Sequence, residues 1–492
     1  MDDTVNRGES KKVTVIGAGI SGLVAARELE RRGHRVEVLE GSGRIGGRIL
    51  THRFASGPGA PLVELGAMRI PGDHLYTMHC ITELGLVDRL RDFRSLFTDG
   101  GAYYATGAGP VRIRDAAEAL VADFRRAVPG RRYADGSVLL GAWLMAAGHA
   151  IAPAYFRADL RADLWLDLLD AVDRIDVSPF FDDAGRRVDL HAFFAAHPEV
   201  KMTGNGRLDR FLDDVLSETS PELVRLEGGM DQLVHGVHGQ VRGQVRCGQE
   251  VVGLTVCEQG VLLDIRHGDH IRTRHCDYVL CTVPFSSLRR MRLAGLSAAK
   301  SAVIRDMTYW AATKVAFHCR EPFWEQDGIS GGASFCGGRV QQTYYLPVEG
   351  DPADGAALLA SYTIGADTAG FDALPTSVRH AAVLQELGGI HPELLRPGMV
   401  LDAVSMPWGR YRWSEGAASV RWGLDTAAAE RERRLAAEPE GRLFFAGEHC
   451  SSTPAWIEGA IASAVRAADE IDAHTVRRGA PCAARRMEGA SR

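Results

Sequence analysis

A glycine motif near the start of the chain restricts the fold more than any other feature. Its residues are Gly17, Ala18, Gly19, Ile20, Ser21 and Gly22, and its glycines are spaced as Gly-x-Gly-x-x-Gly after an apolar run that ends at Ile16. Apolar residues then recur at helical spacing as far as Gly33, and Arg35 to Leu39 form a second apolar run. This order predicts a strand, a tight turn, a helix and a parallel strand, the unit in which backbone N–H groups at a helix N-terminus bind a pyrophosphate. The motif alone would also suit a surface loop, but its position in this unit favours a nucleotide.

Two further strings and an acidic residue extend the predicted nucleotide site. Glu40 follows Gly22 by 18 residues, at the end of the second strand, where a carboxylate accepts hydrogen bonds from ribose hydroxyls. The run Arg44-Ile45-Gly46-Gly47-Arg48 resembles the second dinucleotide signature of the amine-oxidase branch of FAD enzymes, which NAD dehydrogenases lack. Phe445-Ala446-Gly447-Glu448 lies near the other end of the chain. Together the strings predict bound FAD.

Length and composition indicate a globular protein of two or three domains. The chain has 492 residues, and its net charge of −6 gives no reason to expect nucleic acid or an anionic membrane as a partner. Its longest apolar stretch, Val138 to Gly148, is well short of the ~20 residues that span a bilayer. The polar segment from Met1 to Lys12 does not resemble a signal peptide. The nine cysteines form no Cys-x-x-Cys pair, which favours idle thiols in a reducing cytoplasm.

Nucleotide-binding elements at both ends and in the middle of the chain predict a discontinuous domain. We expect an α/β fold with a Rossmann-like FAD-binding domain, a mixed-sheet substrate domain and a helical insert. The predicted boundaries are 10–51, 226–296 and 436–476 for the FAD-binding domain, 52–110 and 297–435 for the substrate-binding domain, and 111–225 for the helical domain. Residues 1–9 and 477–492 are predicted to be disordered tails, with a final helix from Pro454 to Ile471.

Periodicity predicts several elements outside the nucleotide unit. An apolar stripe with a period of four residues indicates a core-packed helix, and its members are Phe156, Leu160, Leu164, Leu168 and Val172. The apolar residues from Val241 to Ile265, most of them valines, predict a small antiparallel ribbon. Tyr278 to Val283 predicts a buried strand that returns to the nucleotide domain. Thr313 to Cys319 alternates as in a strand, with Val315, Phe317 and Cys319 on one face.

Over most of its length the chain resembles the flavin-dependent L-amino acid oxidases of the monoamine oxidase-like superfamily, least in the helical insert. Four stretches beyond the FAD strings carry the resemblance: Glu64 to Pro71, which contains Gly66, Ala67, Met68 and Arg69; Thr313-Lys314-Val315; Ser361 to Gly365; and Pro454 to Ala460. The resemblance implies noncovalent FAD, because the stretch from Trp413 to Ala418 lacks the cysteine that attaches the flavin in monoamine oxidases. It also implies a homodimer.

The resemblance assigns the substrate anchor to Arg69 and Tyr362. A guanidinium binds a carboxylate through two parallel charge-assisted hydrogen bonds, and a tyrosine hydroxyl adds a third donor. Holding the carboxylate in this way would orient the Cα–H bond toward the flavin. The alternatives are a structural salt bridge for Arg69 and a core aromatic role for Tyr362.

The resemblance makes Lys314 the flavin-facing lysine, which holds a water and favours electron transfer to oxygen because its charge stabilises developing superoxide. The alternative is a solvated lysine on a half-exposed sheet. Arg69, Tyr362 and Lys314 are therefore the predicted catalytic residues, with Ala455 and Trp456 added for substrate binding. The predicted FAD contacts beyond the glycine motif are Glu40, Gly41, Arg44, Gly47, Arg48, Gly66, Ala67, Met68, Arg69, Val251, Trp408, Gly447, Glu448, Trp456 and Ile457, with Trp413 as a possible further pocket wall.

The implied activity is oxidation of an L-amino acid by O2 to a 2-oxo acid, ammonia and hydrogen peroxide. Three alternatives stay open. A monooxygenase of the tryptophan 2-monooxygenase type would form an amide, an amine oxidase or oxidative cyclase of secondary metabolism would not need Arg69 and Tyr362 together, and a non-catalytic FAD-binding protein would not need Lys314. No general base, metal site or side-chain preference is indicated.

Overall fold

The computed structural model describes residues 10–57, 59–153, 155 and 162–479. The helices of these ranges are α1 (Ile20–Arg31), α2 (Leu75–Glu83), α3 (Ala117–Ala127), α4 (Asp135–Ile151), α5 (Ala162–Val172), α6 (Leu190–Ala196), α7 (Asp209–Thr219), α8 (Asp231–Gln240), α9 (Phe285–Leu288), α10 (Ala298–Asp306), α11 (Phe323–Gln326), α12 (Ala369–Asp372), α13 (Thr376–Gly388), α14 (Thr426–Ala437) and α15 (Ile457–Gly479).

Strands from all parts of the chain build the sheets. They are β1 (Lys12–Ile16), β2 (Arg35–Leu39), β3 (Thr51–Arg53), β4 (Leu62–Glu64), β5 (Ile70–Pro71), β6 (Leu90–Asp92), β7 (Tyr103–Thr106), β8 (Gly109–Arg112), β9 (Leu223–Leu226), β10 (Gln244–Arg246), β11 (Glu250–Cys257), β12 (Gly260–His267), β13 (His270–Cys276), β14 (Tyr278–Cys281), β15 (Arg292–Ala294), β16 (Tyr309–Trp310), β17 (Ala312–Cys319), β18 (Ala333–Gly337), β19 (Gln341–Tyr345), β20 (Ala356–Ile364), β21 (Val400–Pro407), β22 (Ala418–Ser419) and β23 (Leu443–Phe445).

A parallel sheet forms the nucleotide-binding part of the fold. Its five strands are ordered β10, β2, β1, β14, β23, and every neighbouring pair is parallel. The central strand β1 is buried from Val13 to Ile16, because one face of the sheet packs against α1 and α15 and the other face packs against the β11–β13 strands. The predicted α1, β2 and β14 are confirmed, and Gly33 ends α1 with a φ of 92°.

The predicted antiparallel ribbon is confirmed in part. β11, β12 and β13 pair in antiparallel order, and β15 adds to β11 in parallel. Val245, which we assigned to the ribbon, instead lies in β10 and pairs with Val38 in the parallel sheet. A valine-rich run looks alike in both settings, so periodicity alone does not distinguish them.

A seven-stranded mixed sheet carries the predicted catalytic lysine. Its order is β21, β17, β20, β19, β18, β7, β8. The predicted strand from Thr313 to Cys319 is β17, and it is buried from Ala312 to Phe317 on both faces, so the alternative of a half-exposed sheet is wrong. A register shift between Val315 and Phe317 marks a bulge in its pairing with β20.

The helical segment contains α3 to α7, but strands form its two predicted edges. Residues 109–112 form β8, and residues 223–226 form β9, which joins β5 and β6 in a three-stranded sheet. In the predicted stripe, Leu164, Leu168 and Val172 lie in α5 and are buried, whereas Phe156 and Leu160 lie outside the described residues.

The final helix is longer than the sequence predicted. α15 continues beyond Ile471 to Gly479, past the point at which we placed the start of the tail. Tails 1–9 and 480–492 lie outside the described residues. In the ranges that the structure describes, no helix combines the length and apolar character that crossing a bilayer requires. The three-domain division stays a proposal.

Candidate active site

The glycine motif forms a tight turn between β1 and α1. Gly17 has a φ of 103°, and a Cβ atom there would lie 2.7 Å from Thr282 Oγ1. Gly19 and Gly46 form an isolated parallel β-bridge, in which the Gly46 N–H donates to the Ala18 carbonyl at 2.8 Å. The two predicted dinucleotide strings therefore lie against each other, and the absence of side chains at the glycines allows that approach.

Glu40 lies at the end of β2, at the base of this turn. Its carboxylate accepts hydrogen bonds of 2.8 Å from the backbone N–H groups of Ala18 and Ser42. The carboxylate thus fixes the glycine turn and also lines the cavity that opens beside it.

A cavity of about 660 Å³ runs from the glycine turn to Lys314 and Tyr362. Most of the predicted site residues line it: Gly17, Gly19, Ile20, Ser21, Glu40, Gly41, Gly47, Arg48, Gly66, Ala67, Val251, Lys314, Tyr362, Trp408, Trp413, Gly447, Glu448, Ala455, Trp456 and Ile457. Ala18, Gly22, Arg44, Met68 and Arg69 are not among its lining residues. Arg44 instead donates to the carbonyls of Ile45, Gly47 and Ile49, so it holds the second dinucleotide string together.

The cavity presents polar groups that lack partners within the protein. The hydroxyls of Ser21, Ser287 and Ser414 are buried, line the cavity and have no hydrogen-bond partner in the described structure. Buried hydroxyls are nearly always paired, so these three fit a polar occupant. Ser21 is at the N-terminal turn of α1, where a pyrophosphate binds. The residues present therefore fit FAD.

Arg48 and Glu448 join the second and third strings. Arg48 Nη1 lies 2.7 Å from Glu448 Oε1, and Glu448 Oε2 accepts from Ser419 Oγ at 2.7 Å and from the Ala455 N–H at 3.1 Å. Burial alone would raise the pKa of Glu448, but Arg48, His449 and Ser419 outweigh it and hold the pKa at about 2. Glu448 is thus an anion that organises the cavity wall.

The N-terminal end of α15 lines the cavity together with the two residues before it. Ala455, Trp456, Ile457 and Ala460 line it, and Ala455 has a φ of 67°, which is unusual for a residue other than glycine. The positive end of a helix dipole stabilises negative charge on a bound group. This position suits an electron-accepting ring that becomes anionic.

Tryptophans form other parts of the wall. Trp408 is buried in the cavity lining, and its Nε1–H donates to the Leu65 carbonyl at 2.7 Å, which fixes the position of the ring. Trp413 lies so close to Gly41 that a Cβ atom on the glycine would clash with the indole ring. Residue 41 must therefore be small.

Lys314 and Tyr362 are direct cross-strand neighbours on β17 and β20. The Lys314 side chain is buried, so the alternative of a solvated surface lysine is wrong. Its Nζ donates to the carbonyls of Glu64 at 3.0 Å and Gly66 at 2.7 Å, contacts Met68 Sδ at 3.3 Å, and lies 4.8 Å from the centre of the Tyr362 ring.

Burial also sets the charge state of this end of the cavity. Burial, with a contribution from nearby Arg69, lowers the pKa of Lys314 to about 7 despite the opposing effect of Glu64. Burial raises the pKa of Glu64 to about 7, although its carboxylate accepts hydrogen bonds from the Met230 N–H and Thr51. Burial likewise raises the pKa of Tyr362, so its hydroxyl stays protonated as a donor. Lys314 therefore changes charge near neutral pH.

Arg69 is buried behind the cavity wall. Its Nη1 donates to the Tyr344 hydroxyl at 2.6 Å, and its Nη2 forms an ion pair with Glu218. The guanidinium lies 5.7 Å from the centre of the Phe93 ring. The salt bridge that we weighed as the alternative for Arg69 is therefore present in this structure.

Sequence reasoning did not indicate several site residues. Glu218, on α7, lines the cavity, and Tyr344 on β19 supports Arg69. Ser287 faces the same cavity from α9. Their signals are single polar residues within ordinary helix and strand patterns, and only the tertiary fold brings them to the site.

The fold and the cavity are those of a flavoprotein: the dinucleotide strings line one part of the cavity, and buried charged groups lie at its other end. The family model described as flavin containing amine oxidoreductase matches residues 20–472, and the chain belongs to that family. The enzyme is accordingly an FAD-dependent oxidoreductase. None of the described residues that line the cavity is a cysteine, in agreement with noncovalent FAD.

Comparison with characterised and solved proteins gives the same class. The chain is 58% identical over 464 residues, 94% of its length and 98% of the relative's, to the flavin-dependent L-tryptophan oxidase RebO of Lentzea aerocolonigenes. It is 29% identical over 490 residues, 94% of this chain and 95% of the other, to the putative L-amino-acid oxidase YobN of Bacillus subtilis. The structure of a putrescine oxidase bound to putrescine superposes with a TM-score of 0.64 over 94% of this chain and 99% of the other, at 21% identity, which supports the fold.

Proposed function

We propose that this enzyme oxidises an L-amino acid with O2 and water to the 2-oxo acid, ammonia and hydrogen peroxide. The observation that carries the proposal is the cavity lining: Lys314, Tyr362 and Glu218 line the same cavity as the FAD strings, and Glu218 pairs with the buried Arg69. The relatives named as L-tryptophan and L-amino-acid oxidases support it.

The charged groups suit an α-amino acid. The Arg69 guanidinium is buried and its Nη2 pairs with Glu218, while the protonated Tyr362 hydroxyl belongs to a residue of the cavity lining. Both can bind a carboxylate where water is scarce, Arg69 after that ion pair has opened. A carboxylate held at two points fixes the orientation of the Cα–H bond, which lowers the entropic part of the barrier. The FAD, when bound, supplies the two-electron oxidation of the Cα–N bond and the return of electrons to O2.

Lys314 belongs to the oxygen half of the reaction in this proposal. Its ammonium group is positive below its pKa of about 7 and stands in a desolvated wall, where a positive charge stabilises developing superoxide strongly. Its three contacts are two carbonyls and a thioether. The thioether is the weakest of the three acceptors. The N–H group of Lys314 that points to Met68 is therefore the one that would donate to a bound water instead.

We propose an aromatic L-amino acid as the substrate, because the relative named as an L-tryptophan oxidase shares 58% of the aligned residues. The proposal also includes a homodimer in the cytoplasm, based on the family resemblance and on the cysteine pattern.

A survey of substrates tests the activity. Purified holoenzyme is incubated with each of the twenty L-amino acids and their D-forms, and peroxide, ammonia and 2-oxo acid are measured. The proposal expects equal amounts of all three from an aromatic L-amino acid and none from its D-form. An amide and carbon dioxide would instead indicate the monooxygenase, and oxidation restricted to amines without a carboxylate would contradict the proposal.

A further inference from the structure

We propose that Glu218 is an exchangeable counter-ion of Arg69 that makes the site select amino acids over plain carboxylic acids. In the free enzyme Glu218 pairs with the guanidinium; when an amino acid binds, its carboxylate takes Arg69 and its α-ammonium group pairs with the released Glu218. This inference rests on the proposed function and adds a specificity-determining residue to it.

The positions of the two side chains carry the first step. Arg69 has only 5% of its surface exposed and is not among the residues that line the cavity, whereas Glu218 is. The Glu218 carboxylate, in its ion pair with Nη2, therefore stands between the guanidinium and the cavity. A substrate carboxylate can reach Arg69 only by taking the place of Glu218.

The rest of the Arg69 environment is fixed. Nη1 donates to the Tyr344 hydroxyl, and that hydroxyl donates to Gln342 Oε1 at 2.8 Å, while Gln342 Nε2 donates to the Ala150 carbonyl at 2.9 Å. Phe93 and Tyr344 lie within 5.7 Å of the guanidinium carbon. Because Nη1 is committed to Tyr344, the exchange takes place at Nη2, which pairs with Glu218.

The helix that carries Glu218 disfavours a carboxylate at this position. It is the penultimate residue of α7 (Asp209–Thr219), where the negative end of the helix dipole repels a carboxylate. Its side chain is 22% exposed and loses rotamer freedom when it pairs with Arg69. The ion pair with Arg69 offsets both costs, so a carboxylate that bears neither cost can compete for the same donor.

Charge balance then decides which ligand is accepted. The Arg69–Glu218 pair is neutral, and a zwitterionic amino acid keeps the site neutral because its ammonium group compensates the displaced Glu218. A deaminated acid brings a negative charge alone and leaves Glu218 without a partner in a partly desolvated wall, which is unfavourable. Other carboxylates of the cavity are occupied: Glu40 by backbone N–H groups, Glu250 by Arg266 and Arg412, and Glu448 by Arg48 and Ser419.

Binding of 3-phenylpropionate and indole-3-propionate tests the proposal. Both probes carry an aromatic side chain and a carboxylate but no amine, so they report on Arg69 without turnover. Their dissociation constants are measured by titration of the flavin absorbance and by calorimetry for the wild-type holoenzyme, Glu218→Gln and the matched control Glu222→Gln. Glu222 is exposed and lies four residues further along, so its variant makes the same charge change away from the cavity.

In Glu218→Gln, we expect the deaminated acids to bind about tenfold more tightly or better, while kcat/KM for the amino acid falls. Glu222→Gln should match the wild type in both measurements. Equal probe affinity in wild type and Glu218→Gln, with amino acid oxidation intact in the wild type, would overturn the exchange and leave the proposed function standing. Absence of oxidation of every L-amino acid by the wild type would instead overturn the proposed function.

A shorter side chain guards against loss of folding in the glutamine variant. If Glu218→Gln does not retain FAD, Glu218→Asp keeps the charge but withdraws the carboxylate by one methylene, and it should also tighten probe binding. Loss of FAD from both variants would show that the ion pair holds the fold together, and it would overturn the exchange.

Discussion

Two residues face each other because they are cross-strand neighbours. Lys314 and Tyr362 pair directly on β17 and β20, so their side chains project from the same face of the sheet. The bulge after Val315 lies beyond this pair and leaves its register unchanged. At the scale of single residues, the site thus depends on one register position and on the charge of the groups that meet there.

Replacement of Arg69 tests the substrate anchor. Arg69→Ala should lower kcat/KM for the amino acid by about 30-fold or more, because loss of a buried charged partner costs roughly 2–5 kcal/mol. Arg69→Lys keeps the charge but loses the planar fork, and it should retain part of the activity. Steady-state kinetics at equal flavin content measures both. Normal kcat/KM in Arg69→Ala would show that the residue is only a structural partner of Glu218.

The charge of Lys314 predicts a pH-dependent oxygen reaction. Lys314 is positive below its pKa of about 7 and neutral above it, so reoxidation of the reduced enzyme should slow as the pH rises through about 7. Lys314→Met should reoxidise slowly at every pH, with a much smaller effect on anaerobic reduction. Stopped-flow measurement of both half-reactions from pH 5.5 to pH 9 checks this. Slow reduction with normal reoxidation would instead assign Lys314 to substrate positioning.

At the scale of elements, the glycine turn between β1 and α1 restricts the choice of residue most strongly, through its backbone conformation and its lack of space for a side chain. Gly17→Ala should lose most of its FAD, because alanine disfavours a φ of 103° and its Cβ would lie 2.7 Å from Thr282 Oγ1. Gly43→Ala is the matched control, because a Cβ atom there meets no atom within 4 Å. The ratio of flavin to protein absorbance and the Tm of each variant give the result. Full flavin content in Gly17→Ala would contradict this account of the turn.

The sequence predicted those helices and strands that depend on patterns within a short stretch of the chain. The βαβ unit follows from glycine spacing and apolar periodicity between Val13 and Leu39, and β14 from a short apolar run. Val245 was misassigned because a valine in a parallel edge strand and one in a ribbon obey the same pattern. Burial of Lys314 could not be read from β17, because the segment that covers it, Glu64 to Met68, lies about 250 residues earlier in the chain.

In the candidate site, too, contacts that depend on tertiary packing could not be predicted from the sequence. Arg69 and Tyr362 were indicated by family resemblance, whereas Glu218 was not, since a glutamate near the end of an amphipathic helix has the pattern of a solvated residue. Its pairing with Arg69 joins α7 to the segment before β5 and depends on tertiary packing.

At the scale of the whole molecule, the FAD site combines distant parts of the chain. Arg48 near the start and Glu448 near the end form one ion pair in the cavity wall. Because no cysteine lies among the described lining residues, acid precipitation of the holoenzyme should release all of its flavin into solution. Absorbance of the supernatant and the pellet measures this. Yellow colour that remains with the pellet would contradict noncovalent binding.

Anaerobic mixing of the holoenzyme with L-tryptophan tests the central claim most directly. The account predicts that the visible absorbance of the flavin bleaches in the absence of oxygen, which is the expected signature of two-electron transfer from the substrate to the cofactor. Admission of O2 should then restore the colour and release one hydrogen peroxide for each 2-oxo acid formed. An absorbance that stays unchanged with L-tryptophan and with every other L-amino acid would contradict it.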